Sequence, residues 1–345
     1  ARLQAGRGGP GVRRGSVRRS PAVGRRGFVV GVVALAGLAL AAWSACAQDF
    51  PTRAIRVVVP WAPGGLVDGG GRLLADALTK SMGQSVVVEN VPGAAGALGA
   101  DQVAKAAPDG YTLLMGTSSL AIDVAGGRRL ALDPQKDLVP VALVADTSNV
   151  IIVPAASPIM SIRDLIAAAK AKPGEIAYGT PGIGSPAHLF AELFAQTADV
   201  KMLHVPYGRS PAMNDLIGGR LAVMFATIPV AMPQIRSGQV RALAVTAPSR
   251  FPTLPDIPTV MESGLPGYEA GQWLGVFAPA RTPPAVVQQL NGDITNAVKS
   301  PVVAQALVER GMLPLTGTQA EFAQRFAADV KRWSAVIRSA GIKLE

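Results

Sequence analysis

The chain has 345 residues, 49% of them hydrophobic, which is enough for one large core or two ordinary ones. Its net charge of +10 resembles that of a nucleic-acid binder, but eight arginines (Arg2, Arg7, Arg13, Arg14, Arg18, Arg19, Arg25 and Arg26) fall within residues 1–47, which hold no acid. The other 25 basic and 23 acidic residues nearly cancel, so the body of the chain has no polyanion-binding excess and no nucleic-acid partner is expected.

Residues 1–47 read as an export signal. A basic region ends in Arg25-Arg26, an apolar run covers 28–43, and Ala45-Cys46-Ala47 forms an A-x-A cleavage pattern before Gln48. The run is shorter than the roughly 20 residues of a membrane span. Arg25-Arg26-Gly27-Phe28 leaves both the twin-arginine and the Sec route open. The basic region is long and lacks an initial Met, so the true start is expected further in. Cleavage near Ala47 leaves an exported chain with no cysteine and no need of disulfides.

Ile55, Val57, Val58 and Val59 form a buried-strand run, and Leu73, Leu74, Ala77 and Leu78 recur at helical spacing. Between them Gly64 and Gly65 let the backbone approach a ligand, and the helix start offers free N–H donors to an anion. Asp68 fits an N-cap and equally fits a ligand contact. A strand at 86–88, a glycine-rich turn (Gly93, Gly96, Gly99), a helix near 100–106 and a strand at 111–115 continue a βαβ alternation. Strands follow at 141–144 and 150–153. Ser161 and Asp164 open a helix that Pro173-Gly174 stops. A strand at 176–178 then feeds a second glycine loop, residues 179–188, whose Pro186 suits the first turn of a helix.

Three further strands are expected at 202–205, 222–225 and 242–245, with helices at 211–217 and 232–237. A proline-rich crossing follows at 251–266, then a strand at 273–278. Helices at 284–299 and from Thr318, capped with Glu321, to Ser339 end the chain. That is too many strand–helix units for one ordinary sheet, so two α/β lobes are expected.

Several chemistries are absent. Residues 182–187 match G-x-G-x-x-A, but the following strand ends in Pro206-Tyr207 with no acid for a ribose. There is no Gly-Lys pair for a Walker loop, no G-x-S-x-G and no H-E-x-x-H. His188 and His204 are the only histidines, and nothing is spaced for zinc; no metal and no cofactor are expected. His204 reads as a packed residue in an apolar strand. His188, in a first helical turn behind a glycine loop, reads either as packed or as a ligand contact.

The ordered motifs at 51–65 (PTRAIRVVVPWAPGG), 88–93 (VENVPG), 107–113 (APDGYTL), 204–207 (HVPY), 241–246 (RALAVT) and 254–259 (LPDIPT) resemble the tripartite tricarboxylate receptor family, the Bug or TctC-like solute-binding proteins. The resemblance runs from Phe50-Pro51 to the last helix. It implies a two-lobed periplasmic-binding-protein fold, type II-like, each lobe a mainly parallel sheet flanked by helices. It also implies a small carboxylate held between the lobes for a membrane transporter or sensor, by a periplasmic protein expected to be a monomer and not an enzyme. The lobes are expected as 48–150 with 272–345, and 151–271, crossing near 149–152 and 269–272. In related receptors two loops hold the carboxylate, matching 61–68 and 178–188 here, neither of which has a Lys or Arg. The implied ligand-binding residues are Trp61, Ala62, Gly64, Gly65, Asp68, Tyr178, Thr180, Gly184, Ser185, His188 and Tyr207, with Ala226.

Three departures from the family pattern stand out. Ala226 replaces a usual Asp after Met-Phe and, if the position faces the cleft, is expected to favour a plain or aromatic carboxylic acid over an amino acid. The segment after Tyr207 is one residue short, so Arg209 has no family role. Gly69-Gly70-Gly71 replaces larger residues and is expected to loosen the first turn and widen the pocket. The competing class is an exported α/β enzyme acting on a small organic acid, disfavoured by the missing nucleophile, metal set and oriented base.

Overall fold

The computed structural model describes residues 11, 50–93, 96–208 and 212–344. The export signal with its Ala45-Cys46-Ala47 site, and Arg209, lie outside the described residues.

The first part of the fold comprises β1 (Ile55–Val59), α1 (Leu66–Met82), β2 (Val86–Asn90), α2 (Ala97–Ala104), β3 (Thr112–Thr117), α3 (Ser119–Ala125) and α4 (Pro134–Asp137). The long β4 (Leu138–Pro154) leads to α5 (Ile162–Ala171), β5 (Ala177–Thr180), α6 (Pro186–Ala198), β6 (Leu203–Pro206), α7 (Ala212–Ile217), β7 (Val223–Thr227), α8 (Ile228–Arg236) and β8 (Val240–Val245). Then come β9 (Gly271–Pro279), α9 (Pro284–Lys299), α10 (Pro301–Glu309), β10 (Met312–Pro314) and α11 (Gln319–Ser339).

The strands run in the order β2-β1-β3-β9-β4-β7-β5-β6, with β8 and β10 also paired to β4. The outer trios β2-β1-β3 and β6-β5-β7 are parallel, as the βαβ alternation implies. The pairings made by β4 and β9 are antiparallel. Sequence reading expected two short strands at 141–144 and 150–153, and the structure joins them into one. Residues 138–148 of β4 pair with β9, while 149–154 pair with β7 and β8, so this strand belongs to both lobes. Between the two expected strands, Asp146, Ser148 and Asn149 bond to distant partners. Arg325 bonds Asp146, Thr246 bonds Ser148 and Asn149, and the Asn149 amide donates to Phe225 O at 2.7 Å.

Each half of the sheet is covered on both faces. In the first lobe α1, α9 and α10 bury Leu74, Leu290 and Leu307 on one face. On the other, α2 and α3 pack with Trp273 and Phe277. In the second lobe α5 and α6 cover one face with Leu165, Phe190 and Phe194, and α7 and α8 cover the other with Leu216 and Ala231.

Helix α11 opens with the capping box expected at Thr318 and Glu321. The reading that gave residues 272–345 wholly to the first lobe needs correction. Phe322 and Phe326 sit in the first lobe's core, but Trp333, Val336 and Ile337 sit in the second lobe's core with Phe190 and Phe194. Their apolar spacing persists along all of α11, so one helix serves two cores.

The glycine triplet also has a different role from the one expected. A Cβ on Gly71 would lie 2.9 Å from Val59, and one on Gly70 would lie 3.0 Å from Leu274. These two buried glycines bring α1 close onto the sheet, which is a packing role and not a widening of the pocket.

Candidate functional site

The loop after β1 turns into α1 at Gly65, the N-cap, with Gly64 at φ 83°. Ala62, Gly64 and Gly65 are exposed there, at the C-terminal end of a parallel strand and at a helix start. Asp68 is not the N-cap: the cap is Gly65, three residues earlier than the Asp68 side chain suggested. It is 3% exposed and accepts from Gly64 N–H (2.9 Å), Arg72 Nε (3.0 Å) and Asn90 Nδ2 (2.8 Å). Asn90 Nδ2 also donates to Trp61 O at 3.0 Å, and Arg72 donates to Asn90 Oδ1 at 2.8 Å. Burial pushes the Asp68 carboxyl up, but these donors outweigh it and hold it below the usual carboxylate range. Asp68 therefore fixes the loop's shape, and the loop presents its own outward groups.

Trp61 Nε1 is one such group: it is buried and has no partner among the described residues. Near it, a small pocket is lined by Trp61, Gly96, Thr117, Ser119 and Asp123. The Ser118 hydroxyl, at the junction of β3 and α3, is also buried without a partner. Sequence reading missed this third loop. Its signal was the run Thr117-Ser118-Ser119, three hydroxyls directly after an apolar strand. Burial pushes Asp123 up to about 6 despite the Arg128 guanidinium beside it.

In the second lobe, β5 leads through residues 181–185 into α6. Ser185 is the N-cap, accepting from His188 N–H, and Pro186 holds the first helical position. Gly184 has φ 73°, donates its N–H to His188 Nδ1 at 3.1 Å, and a methyl added there would overlap the Leu344 side chain. This turn explains the G-x-G-x-x-A spacing without a dinucleotide.

Several expected ligand groups are occupied by the protein itself. The Tyr178 hydroxyl donates to Glu192 Oε1, and its ring packs on Phe225 inside the second lobe. Thr180 Oγ1 lies 2.6 Å from His204 Nε2, and the Tyr207 hydroxyl donates to Asp215 at 2.6 Å. Ala226 was expected to face the cleft, but its methyl joins the core with Val150, Ile152 and Met224, because residues alternate faces along β7. Thr227, the N-cap of α8, makes no side-chain cap bond and is the polar group at that strand end.

His188 is packed. Its ring stacks on His204 at 3.7 Å between centroids, and Nδ1 accepts a backbone N–H, which requires an unprotonated Nδ1. Burial, helped by His204, lowers it to about 4, even though Glu192 Oε1 lies 3.8 Å from Nε2. Glu192 is already engaged by Tyr178, so burial wins.

A depressed pKa of this kind stabilises the fold fully above about pH 6.5 and is lost as pH falls towards 4. The unfolded chain binds the proton that the folded one refuses, a difference of roughly 3 kcal/mol. Asp123 acts in the opposite sense over an overlapping range, stabilising below 3.8 and losing that contribution as pH rises through about 6. The wild-type profile mixes the two. The difference in urea midpoint between wild type and His188→Gln should therefore change between pH 7 and pH 4.5, with the variant losing less. A constant difference would remove His188 as the source.

Among the described residues no group of three or more His, Cys, Asp or Glu side chains could hold a metal, and no helix is long and apolar enough to cross a membrane.

Residues 71–342 match the tripartite tricarboxylate transporter family receptor, TctC. The chain belongs to this receptor family. Three solved structures place it among periplasmic solute-binding proteins. R. palustris Rpa4515 with adipate is 36% identical, with TM-score 0.74 over 86% of this chain and 99% of that one. The periplasmic binding protein BugD is 33% identical, with TM-score 0.72 over 86% and 100%. MatC (Rpa3494) from Rhodopseudomonas palustris with bound malate is 33% identical, with TM-score 0.70 over 84% and 100%. Receptors of the TctC/Bug type bind solutes and are not enzymes, and their two-lobed α/β fold is the one described above.

Proposed function

We propose that the protein is a periplasmic receptor that captures a small carboxylate between its lobes and presents it, as a monomer, to a membrane transporter or sensor. The export signal is cleaved near Ala47. The observation that carries this reading is a pair of glycine turns, after β1 and after β5, each ending at a helix N-terminus and each without a Lys or Arg. Such turns hold a carboxylate with backbone N–H groups and hydroxyls and bury no fixed cation. Trp61 Nε1, Ser118 and Thr227 supply further neutral groups, and the adipate and malate bound to Rpa4515 and MatC match this chemistry in class. The loops contribute Ala62, Gly64, Gly65, Gly184 and Ser185 directly, while Asp68, Thr180 and His188 shape them.

A thermal-shift screen of C3–C8 mono- and dicarboxylic acids tests the reading. One or more acids should raise the melting temperature and be recovered chemically unchanged. No shift with any acid, or turnover of the acid that binds, would sink it. Ser185→Ala removes a helix cap of about 1 kcal/mol and a hydroxyl at the loop. Its acid affinity should fall several-fold, measured by calorimetry, and an unchanged affinity would take Ser185 out of the contact set.

The lobes close through the crossings in β4 and at the start of β9, and ligand binding should shrink the radius of gyration in small-angle scattering. Identical profiles with and without a saturating acid would count against closure.

A further inference from the structure

A cavity of about 500 Å3, lined by no residue of either glycine turn, lies where β4, the start of β9, β10, α11 and the segment after β8 meet. It is within the size range of small-molecule sites. Five charged residues line it: Asp146, Glu269, Arg325, Asp329 and Arg332. Three have partners. Arg325 pairs with Asp146 at 2.7 Å, and Asp329 accepts from Trp273 Nε1 at 2.7 Å. Glu269, at the rim, and Arg332 make no salt bridge among the described residues, and the Arg332 guanidinium instead lies 5.0 Å over the Trp333 ring. Thr147, also on the wall, is 2% exposed, and its hydroxyl has no partner among the described residues.

Unpaired charges on an open surface are ordinarily just solvated. Here one of each sign lines the same concavity, which selects a ligand carrying both. We propose that this cavity is a second ligand site, for a small zwitterion of the free amino-acid type, its ammonium paired with Glu269 and its carboxylate with Arg332. A guanidinium fork matches a carboxylate, and a carboxylate at the rim matches an ammonium. A plain acid would gain Arg332 but face three carboxylates. A plain amine would gain Glu269 but face two guanidiniums. Burial pushes Asp146 and Asp329 up, Arg325 pulls both back and Arg332 pulls Asp329 back, and the Glu269 charge adds the smallest push to each.

This site does not depend on the acid-capture reading. The test is a calorimetric and thermal-shift panel of the twenty common L-amino acids against the full chain, with and without saturating adipate. At least one amino acid should bind with 1:1 stoichiometry whether or not adipate is present. Its amide and its deaminated acid should each bind at least tenfold more weakly. Glu269→Gln and Arg332→Gln should each weaken it at least tenfold while leaving any adipate response unchanged. Ser249→Trp, which puts a large ring on another lining residue of the cavity, should abolish it, so the result does not hang on one variant's folding. Three outcomes overturn the site: no amino acid binding, binding that persists in all three variants, or binding that adipate displaces competitively.

Discussion

Trp333→Ala should destabilise the protein by about 3–5 kcal/mol, the cost of deleting a large buried aromatic ring. Trp333 is fully buried, stacks on Phe190 with centroids 5.6 Å apart, and anchors the last turns of α11 in the second lobe. Its Nε1 has no partner among the described residues, so Trp333→Phe gives up no hydrogen bond there and should cost much less. Urea unfolding at pH 7 gives both values. A loss below about 1 kcal/mol for Trp333→Ala would mean that α11 does not hold the second core.

Asp68→Ala should cost about 1–3 kcal/mol of stability and reduce affinity for a bound acid roughly tenfold or more. The substitution strands the Gly64 N–H and one bond of Asn90, the two groups that tie residues 61–64 to α1 and β2. Arg72 is half exposed, so its freed charge returns to water and adds little. The informative feature is the pairing of effects. Stability alone would fall if Asp68 were only structural to α1, whereas loss of the loop's shape moves affinity as well. Calorimetry with the best acid, alongside unfolding curves, separates the two. Unchanged affinity would show that the loop keeps its shape without the carboxylate.

Features coded by neighbouring residues were legible in the sequence. Thr318 with Glu321, Ser161 with Asp164, and Pro284–Lys299 all appear where read, because a cap or an apolar stripe is a local bargain between residues three or four apart. The two glycine turns were legible for the same reason. What escaped the reading depends on partners far along the chain. Residues 145–149 were left between two strands because the partners of Asp146, Ser148 and Asn149, Arg325 and Thr246, are 179 and 97–98 residues away. Asp68 looked like a cap because the competing claim of Asn90 comes from the next strand. His188 stayed open between a packed residue and a ligand contact because its stacking partner, His204, lies on β6. Ala226 was misplaced by one step of strand alternation, which no composition argument fixes.

Helix α11 constrains how the lobes can move. Its 21 residues make a rod of about 30 Å with aromatic side chains sunk into a different core at each end. A jaw-like opening that bends the crossing strands would have to pull Trp333 or Phe322 out of its socket, at several kcal/mol. A turn about the rod's own axis would unseat one end as well, because a continuous helix fixes the angle between its two sockets, so lobe motion has to be small or shared by a gentle curvature of the helix. The receptor should therefore admit its ligand through a closure of small amplitude at the crossing strands, with α11 curving between residues 326 and 333. Spin labels placed across the mouth should change separation on acid binding, while labels near residues 322 and 336 keep theirs.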